Sequence, residues 1–327
     1  MNAVLDQLPI LVLYPHNRCN CRCVMCDIWK QSDAEELSVA ELRRHLDDFE
    51  RLSVRWVVFS GGEPLMHSDL FRLARLLRER SIRTTLLSTG LLFERYAKSI
   101  AKDIDDAIVS LDGPARVHDR IRRVPGAFRA LSQGIKAIRA ISPRFPISAR
   151  CTVQRENHRV VTETAMEAQQ LGLNSISFLA ADVSSAAFNR TEPWPPDRQA
   201  QITLTEAETD DLRNEIQVLW DRWGKTGFIR ESLEKLERIP EHFRAHLGLA
   251  EFRAPCCNAP WVSAVIEADG TVRPCFFHQP IGRVNGRTLL QVLNGPEALA
   301  FRSSLTVSNN PVCQKCVCSL NWSDIHP

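Results

Sequence analysis

Short apolar runs of strand length recur at roughly thirty-residue spacing through the first half of the chain. They are LPILVLYP (8–15), VRWVVFSG (54–61), RTTLLSTG (83–90), DAIVSLDG (106–113), ISARCTVQ (147–154) and SISFLAAD (175–182). The segments between them have apolar residues at helical spacing, as in SVAELRRHLDDFERL (38–52), SDLFRLARLLRER (68–80) and GAFRALSQGIKAIRA (126–140). Alternation of strand and helix over six such units predicts a parallel sheet with right-handed crossovers. Six units form either an open doubly wound sheet or an incomplete barrel, and the pattern leaves both open.

In both architectures the site lies in the loops at the carboxyl ends of the strands. A run of four cysteines follows the first predicted strand, GGEP (61–64) the second, STG (88–90) ends the third and SLDG (110–113) the fourth. The proline-rich NRTEPWPPDRQ (189–199) ends the repeat. TEAETDDLRNEIQVLWDRWG (205–224) then predicts an amphipathic helix opened by a capping box of Thr205 and Glu208. The expected organisation is a barrel-like unit over 1–188, a helical bridge over 189–250 and a cysteine-rich α+β unit over 251–327.

Charge narrows the partners. Lys plus Arg number 41 against 39 Asp plus Glu, a net charge of +2, too even to predict nucleic acid or an anionic membrane as partner. The N-terminus has no basic stretch ahead of its apolar run, and no run approaches the ~20 apolar residues of a membrane span, so a cytoplasmic protein is expected. Eleven cysteines in such a chain argue for metal ligation or catalysis rather than disulfides. Four lie at 19–26 and six between Cys256 and Cys318, with Cys151 alone between the groups, which predicts two metal sites.

In RCNCRCVMCDIW (18–29), Cys19, Cys23 and Cys26 are spaced C-x3-C-x2-C. Three thiolates on one loop suit three irons of a [4Fe–4S] cube and leave the fourth iron open to a substrate or cofactor. A zinc site that recruits Cys21 is the alternative, with four crowded ligands. With SGGEP after strand two and Trp29 close behind the cysteines, the chain resembles the radical S-adenosylmethionine (radical SAM) superfamily over roughly residues 8–182. That resemblance implies a partial (β/α)6 TIM-like barrel, a cluster held by Cys19, Cys23 and Cys26, and Cys21 spare for packing.

It also implies that Gly61, Gly62, Glu63 and Pro64 border the methionine ammonium of SAM, the two glycines admitting a close backbone approach. Glu63 is either a direct acidic partner or a charge at a helix start. Ser88, Thr89, Ser110 and Asp112 offer polar groups to the methionine carboxylate or the ribose, Ser110 foremost. Arg150 is expected to pair with that carboxylate, unless strand alternation turns it beneath the helices. HDRIRRVPGAF (118–128) is similar to the loop after strand four in peptide- and sugar-modifying members, with His118 and Arg122 as structural pins.

In the tail, Cys257 is followed by C-x12-G-x4-C spacing to Cys275, and CQKCVC supplies Cys313, Cys316 and Cys318. EADGTVRPC (267–275) predicts a hairpin turned by Asp269-Gly270, which returns Cys275 towards Cys257. The arrangement resembles the SPASM/twitch extension of some radical SAM enzymes. It implies one auxiliary [4Fe–4S] cluster on Cys257, Cys275, Cys313 and Cys316, with structural zinc as the alternative. The roles of Cys151, Cys256 and Cys318 stay open.

The function implied is reductive cleavage of SAM to a 5′-deoxyadenosyl radical and hydrogen abstraction from a substrate. The expected outcome is dehydrogenation or epimerisation of a small polar or sugar-like molecule, since a first strand by residue 8 leaves no room for a preceding peptide-recognition unit. Peptide modification (RiPP maturation by cross-linking or epimerisation) is the alternative, and a non-catalytic iron–sulfur scaffold or electron-transfer protein the alternative from another class. An external electron donor such as flavodoxin or ferredoxin is the implied partner. Asp182, Asn189, Glu156 and His278 are loop positions within reach of acid–base work, with no role assigned.

Overall fold

Ser38 accepts the backbone N–H of Glu41 (3.1 Å), and the Glu41 carboxylate accepts that of Ser38 (2.7 Å). This reciprocal cap begins α1 (Val39–Arg51), whose buried Leu42, His45, Leu46 and Phe49 follow helical spacing. The same logic repeats along the computed structural model, which describes residues 3–31 and 35–323. The ends of the expected first and last units, 1–2 and 324–327, lie outside the described residues.

The predicted runs become β1 (Ile10–Leu13), β2 (Trp56–Phe59), β3 (Arg83–Ser88), β4 (Asp106–Ser110), β5 (Ile147–Val153) and β6 (Ile176–Ala180). Between them lie α2 (Leu70–Arg78), α3 (Phe93–Asp103), α4 (Ala115–Arg122), α5 (Ala127–Ile141) and α6 (Val161–Gln170). Strands β1 to β6 pair in chain order and all in parallel. The architecture is the expected partial barrel.

Alternation gives each strand two faces. Val57, Phe59, Leu86, Val109, Ala149 and Cys151 belong to the main core, where Phe49 and Phe93 are also fully buried. Their neighbours Val58, Leu87, Ile108, Ser110 and Arg150 are only partly covered and take the opposite face, towards the barrel interior.

After β6 come α7 (Pro196–Ile202), α8 (Glu206–Trp223) and α9 (Leu233–His246). The predicted capping box opens α8, with Glu208 N–H donating to Thr205 Oγ1 at 3.3 Å. The tail holds α10 (Ala259–Val262), β7 (Ser263–Ile266), β8 (Thr271–Arg273), β9 (Gly282–Arg283), α11 (Leu289–Leu293), α12 (Pro296–Ser304) and α13 (Pro311–Gln314). Strands β7 and β8 form the expected hairpin, with Gly270 at φ +80° and Asp269 Oδ1 accepting Thr271 N–H (2.9 Å).

The pattern did not reveal where this hairpin goes. β7 pairs in parallel with β1, so one nine-stranded sheet runs β6-β5-β4-β3-β2-β1-β7-β8-β9. Strand β1 has a free edge in a partial barrel, and the wholly buried SAVI of β7 covers it. Asn294 reinforces the junction by bonding both backbone groups of Leu5 at 2.8 Å.

Candidate iron-sulfur active site

The loop after β1 is fixed before its first cysteine. His16 is fully buried; its Nε2–H donates to the Glu63 carbonyl (2.6 Å) and its Nδ1 accepts Arg18 N–H (2.9 Å). That pattern needs a neutral ring, and burial lowers its pKa accordingly. Glu63 N–H donates in turn to the Arg18 carbonyl (2.8 Å). The GGEP turn is thus bonded to the residue preceding Cys19. A Cβ on Gly62 would collide with the Arg18 carbonyl, and one on Gly61, at φ +97°, with the Tyr14 ring. Both glycines make room for a close approach of the protein's own chain.

Each candidate ligand sulfur accepts one N–H. Cys21 N–H points at Cys19 Sγ (3.5 Å), Ile28 N–H at Cys26 Sγ (3.4 Å), and Arg122 Nη1 at Cys23 Sγ (3.4 Å). Such donors favour the thiolate form that iron requires and tune a bound cluster. Burial pushes the Cys19 and Cys26 thiols up to about 12, whereas a hydrogen bond from Cys21 and the Arg122 charge hold Cys23 below the ordinary thiol range. Cys21 is buried among Ile121, Ala181 and Val183. Among the described residues no three His, Cys, Asp or Glu side chains stand gathered as a ready ligand set for a metal ion. The fit to an iron–sulfur cluster therefore rests on three thiols of one loop, each with its own N–H donor beside a buried cation.

That cation was legible only as a pin. Arg122 ion-pairs with the fully buried Asp112 (2.5 Å), and Asp112 Oδ1 also accepts Thr152 N–H (2.9 Å). Despite burial, Asp112 and the thiols raise the Arg122 pKa, so it stays charged. His118 Nδ1 accepts Asp112 N–H (3.2 Å), and burial depresses its pKa to about 3.

The Glu63 carboxylate is wholly enclosed, at 0 % exposure. It accepts Ser88 Oγ–H (2.8 Å), Thr89 N–H (2.7 Å), Thr89 Oγ1–H (2.6 Å) and Leu65 N–H (3.1 Å). Burial raises its pKa against the pull of these donors. Glu63 and Ser88, both expected at the cofactor, are turned to each other and lock the β2 loop to the β3 loop. Ser110 and Arg150 are register partners on the interior face, and Arg150 Nε donates to Ser177 Oγ (3.3 Å). Ala149 and Cys151 lie in the main core, so alternation turns Arg150 to the other face of β5, away from the helices.

In the tail, Cys257, Cys275, Cys313 and Cys316 line one cavity, otherwise walled mainly by Pro255, Pro260, Phe277 and Val312. Ala259 N–H points at Cys257 Sγ (3.5 Å), and His278 Nε2 lies 3.3 Å from Cys313 Sγ. Burial pushes Cys275 up to about 12 and Cys313 to about 11. Four thiols around one apolar enclosure fit an auxiliary cluster. Cys256 and Cys318 are exposed and do not line this cavity. Phe276, next to Cys275, meets Tyr14 at the end of β1 with ring centroids 6.1 Å apart, so the tail reaches the mouth of the barrel.

The loop residues without an assigned role find partners. Asp182 ion-pairs with Arg190, and Glu156 with Arg120. Asn189 Nδ2 donates to the Asp27 carbonyl (3.3 Å). Sequence reasoning missed Asp27, whose carboxylate accepts Trp194 Nε1–H (2.6 Å) and Arg198 Nη2 (2.8 Å), clasping the segment after β6 onto the cysteine loop. Its only sequence signal was its place next to Cys26.

A parallel half-barrel with a three-thiol loop at its mouth and a second thiol enclosure in its tail defines an iron–sulfur enzyme class. The chain carries a radical SAM domain and a SPASM domain: the radical SAM superfamily profile matches residues 13–168, and the iron-sulfur cluster-binding SPASM domain matches 256–317. The first domain implies a [4Fe–4S] cluster and SAM, and the second implies auxiliary iron–sulfur.

Among curated proteins, an AdoMet-dependent heme synthase of Methanosarcina barkeri is 33% identical over 191 residues, 54% of this chain and 54% of that protein. A PqqA peptide cyclase of Rhodopseudomonas palustris is 22% identical over 310 residues, 89% of this chain and 75% of that protein. The chain spans about half, or less, of the length of the first relatives it matches. Streptococcus suis SuiB bound to its precursor peptide SuiA superposes with a TM-score of 0.69 at 16% identity, covering 97% of this chain and 72% of that one. For anSMEcpe with bound AdoMet the values are 0.66 and 18%, covering 94% and 86%. At these identities the likeness is one of fold. Among the described residues no helix is long and apolar enough to cross a membrane.

Proposed function

We propose that this chain cleaves SAM reductively and uses the resulting 5′-deoxyadenosyl radical to take a hydrogen atom from a small polar substrate, with net oxidation or epimerisation. The observation that carries the reading is the bonding of the three-thiol loop to the GGEP turn through Arg18, His16 and Glu63. When bound, the cluster supplies one electron to the sulfonium and an open iron to hold it. Cys19, Cys23 and Cys26 are its ligands, and Arg122 offsets their negative charge. Gly61 to Pro64, held rigid by the bonds to Arg18 and His16, would offer backbone groups to the methionine end of SAM, and Ser110 and Arg150 would be polar partners for its carboxylate or ribose. Cys257, Cys275, Cys313 and Cys316 hold the auxiliary cluster within a tail unit that begins near residue 251.

Peptide modification is the second reading, favoured by the alignment of 89% of this chain with a PqqA peptide cyclase and by the fold shared with a peptide-bound SuiB. Anaerobic reconstitution followed by iron and sulfide analysis tests the cofactor assignment, with about eight irons per chain expected and about four refuting the auxiliary cluster. Formation of 5′-deoxyadenosine with dithionite and SAM is expected. Its absence under every condition, candidate substrates included, moves the protein to the scaffold class. Turnover of sugar-like alcohols against that of peptides separates the two substrate readings.

A further inference from the structure

An electron must reach the cluster from outside, and the outer rim of the cysteine loop carries charge that SAM chemistry does not use. Arg22, between Cys21 and Cys23, is exposed, with its guanidinium 5.9 Å from the centre of the Trp29 ring. Lys30 Nζ lies 5.7 Å from the same ring. The Trp29 indole N–H donates to the Cys26 carbonyl (2.8 Å), so this aromatic surface is hinged on a ligand residue. Beside it opens a shallow basin of about 690 Å³, whose wall carries Lys30, Arg120, Arg123 and Arg198 against Glu156 and Asp197.

Lys30 and Arg198 share Asp27, and Arg120 pairs with Glu156. Arg22 and Arg123 are exposed, and neither forms an ion pair among the described residues. Arg123 is held at φ +53° where α4 ends, directly after the Arg122 that touches Cys23. Among the described residues Arg22 and Arg123 are therefore the rim cations without an acidic partner. A cationic ring around a partly exposed aromatic, one to three residues from the thiols, has the anatomy of a transient charged docking patch.

We propose that this rim is the docking surface for an acidic one-electron carrier of the flavodoxin type, which rests on the radical SAM reading above. The step moves one electron and no atoms: the carrier's reduced flavin is oxidised by one electron and the cluster is reduced by one. Arg22 and Arg123 meet carboxylates of the carrier, and the Trp29 edge brings it close to the Cys26 backbone.

The test uses reconstituted holoenzyme, flavodoxin and its NADPH-dependent reductase. Binding of oxidised flavodoxin is measured by calorimetry at several salt concentrations, and 5′-deoxyadenosine formation is driven either by flavodoxin or by dithionite. The double variant R22E/R123E is expected to weaken binding by about tenfold or more and to flatten its salt dependence. Flavodoxin-driven cleavage should fall with it, while dithionite-driven cleavage and iron content stay within about twofold; the neutral R22Q/R123Q should lie between. Unchanged binding in R22E/R123E overturns the proposal, as does no binding of flavodoxin to the unsubstituted protein. A parallel loss with dithionite at full iron content also overturns it, because the rim would then serve SAM or a small anionic substrate. Salt-sensitive, rim-dependent binding without any SAM cleavage by the unsubstituted protein upholds the docking surface and sinks the radical SAM reading instead.

Discussion

Replacing Glu63 tests whether the GGEP turn acts as an internal lock or as a direct ligand. In E63A four donors lose their acceptor at a site with no access to water. Two of them recover locally: Thr89 Oγ1 already lies 3.1 Å from Asn20 Oδ1, and the Ser88 hydroxyl can rotate. The backbone N–H groups of Leu65 and Thr89 have no such alternative, and each stranded group costs about 1–3 kcal/mol. Removing a carboxylate whose pKa burial has raised returns part of this, so a loss of about 3 kcal/mol is expected for E63A. E63Q keeps one oxygen acceptor and should lose about half as much. Urea unfolding of the anaerobic protein, followed by tryptophan fluorescence, gives the stability term, and equilibrium dialysis gives SAM affinity. If Glu63 is a lock, affinity falls in proportion to stability across the two variants. An E63Q protein of unchanged stability that no longer binds SAM would refute the lock and make Glu63 a direct contact.

Gly62→Ala forces a Cβ into the Arg18 carbonyl and should release the cysteine loop, seen as loss of about half the iron with the fold retained by circular dichroism. Cys257→Ala should leave about four irons per chain, whereas Cys21→Ala should leave about eight; equal iron in both would reverse the assignment of spare and ligand. Arg122→Leu leaves Asp112 as an unpaired buried carboxylate and should cost about 3–5 kcal/mol in chemical unfolding of the metal-free protein, a loss that R122L/D112N should partly restore. His242 and His246 on α9 have pKa values that burial pushes down to about 3 and about 4. Arg238 and Lys315 also disfavour the charged form of His242, and Lys315 opposes while Asp182 favours that of His246. Both rings stay neutral in the folded state and take up protons on unfolding, so stability is full above about pH 6.5 and falls as pH drops towards 4. The slope reaches at most about 1.4 kcal/mol per pH unit for each histidine, less for their partial exposure, and His242→Phe should remove its share; an unchanged acid limb would count against it.

How far the site could be read from the chain differs by residue. Cys19, Cys23 and Cys26 were legible because one loop carries all three, and the same held for the Thr205–Glu208 cap and the Asp269-Gly270 turn. Arg150 was legible as a charge on a strand but not as an interior one, because alternation fixes only that neighbours face opposite ways. The Ser88–Glu63 bond was not legible, because nothing local announces that a hydroxyl meets a carboxylate 25 residues away. Arg122 was legible as a structural pin, and only packing sets it against Cys23 from 99 residues away.

The chain by itself determined six strand–helix units, the rim on which their loops converge and the grouping of thiols into an early loop and a late tail. These depend on periodicity and short spacing, which local sterics and burial enforce. Tertiary structure decided that β7 covers the free edge of β1, that Glu63 is turned inward upon Ser88 and Thr89, and that four tail thiols enclose one space. Those outcomes depend on contacts between residues far apart in the chain, whose geometry exists only once the core has closed.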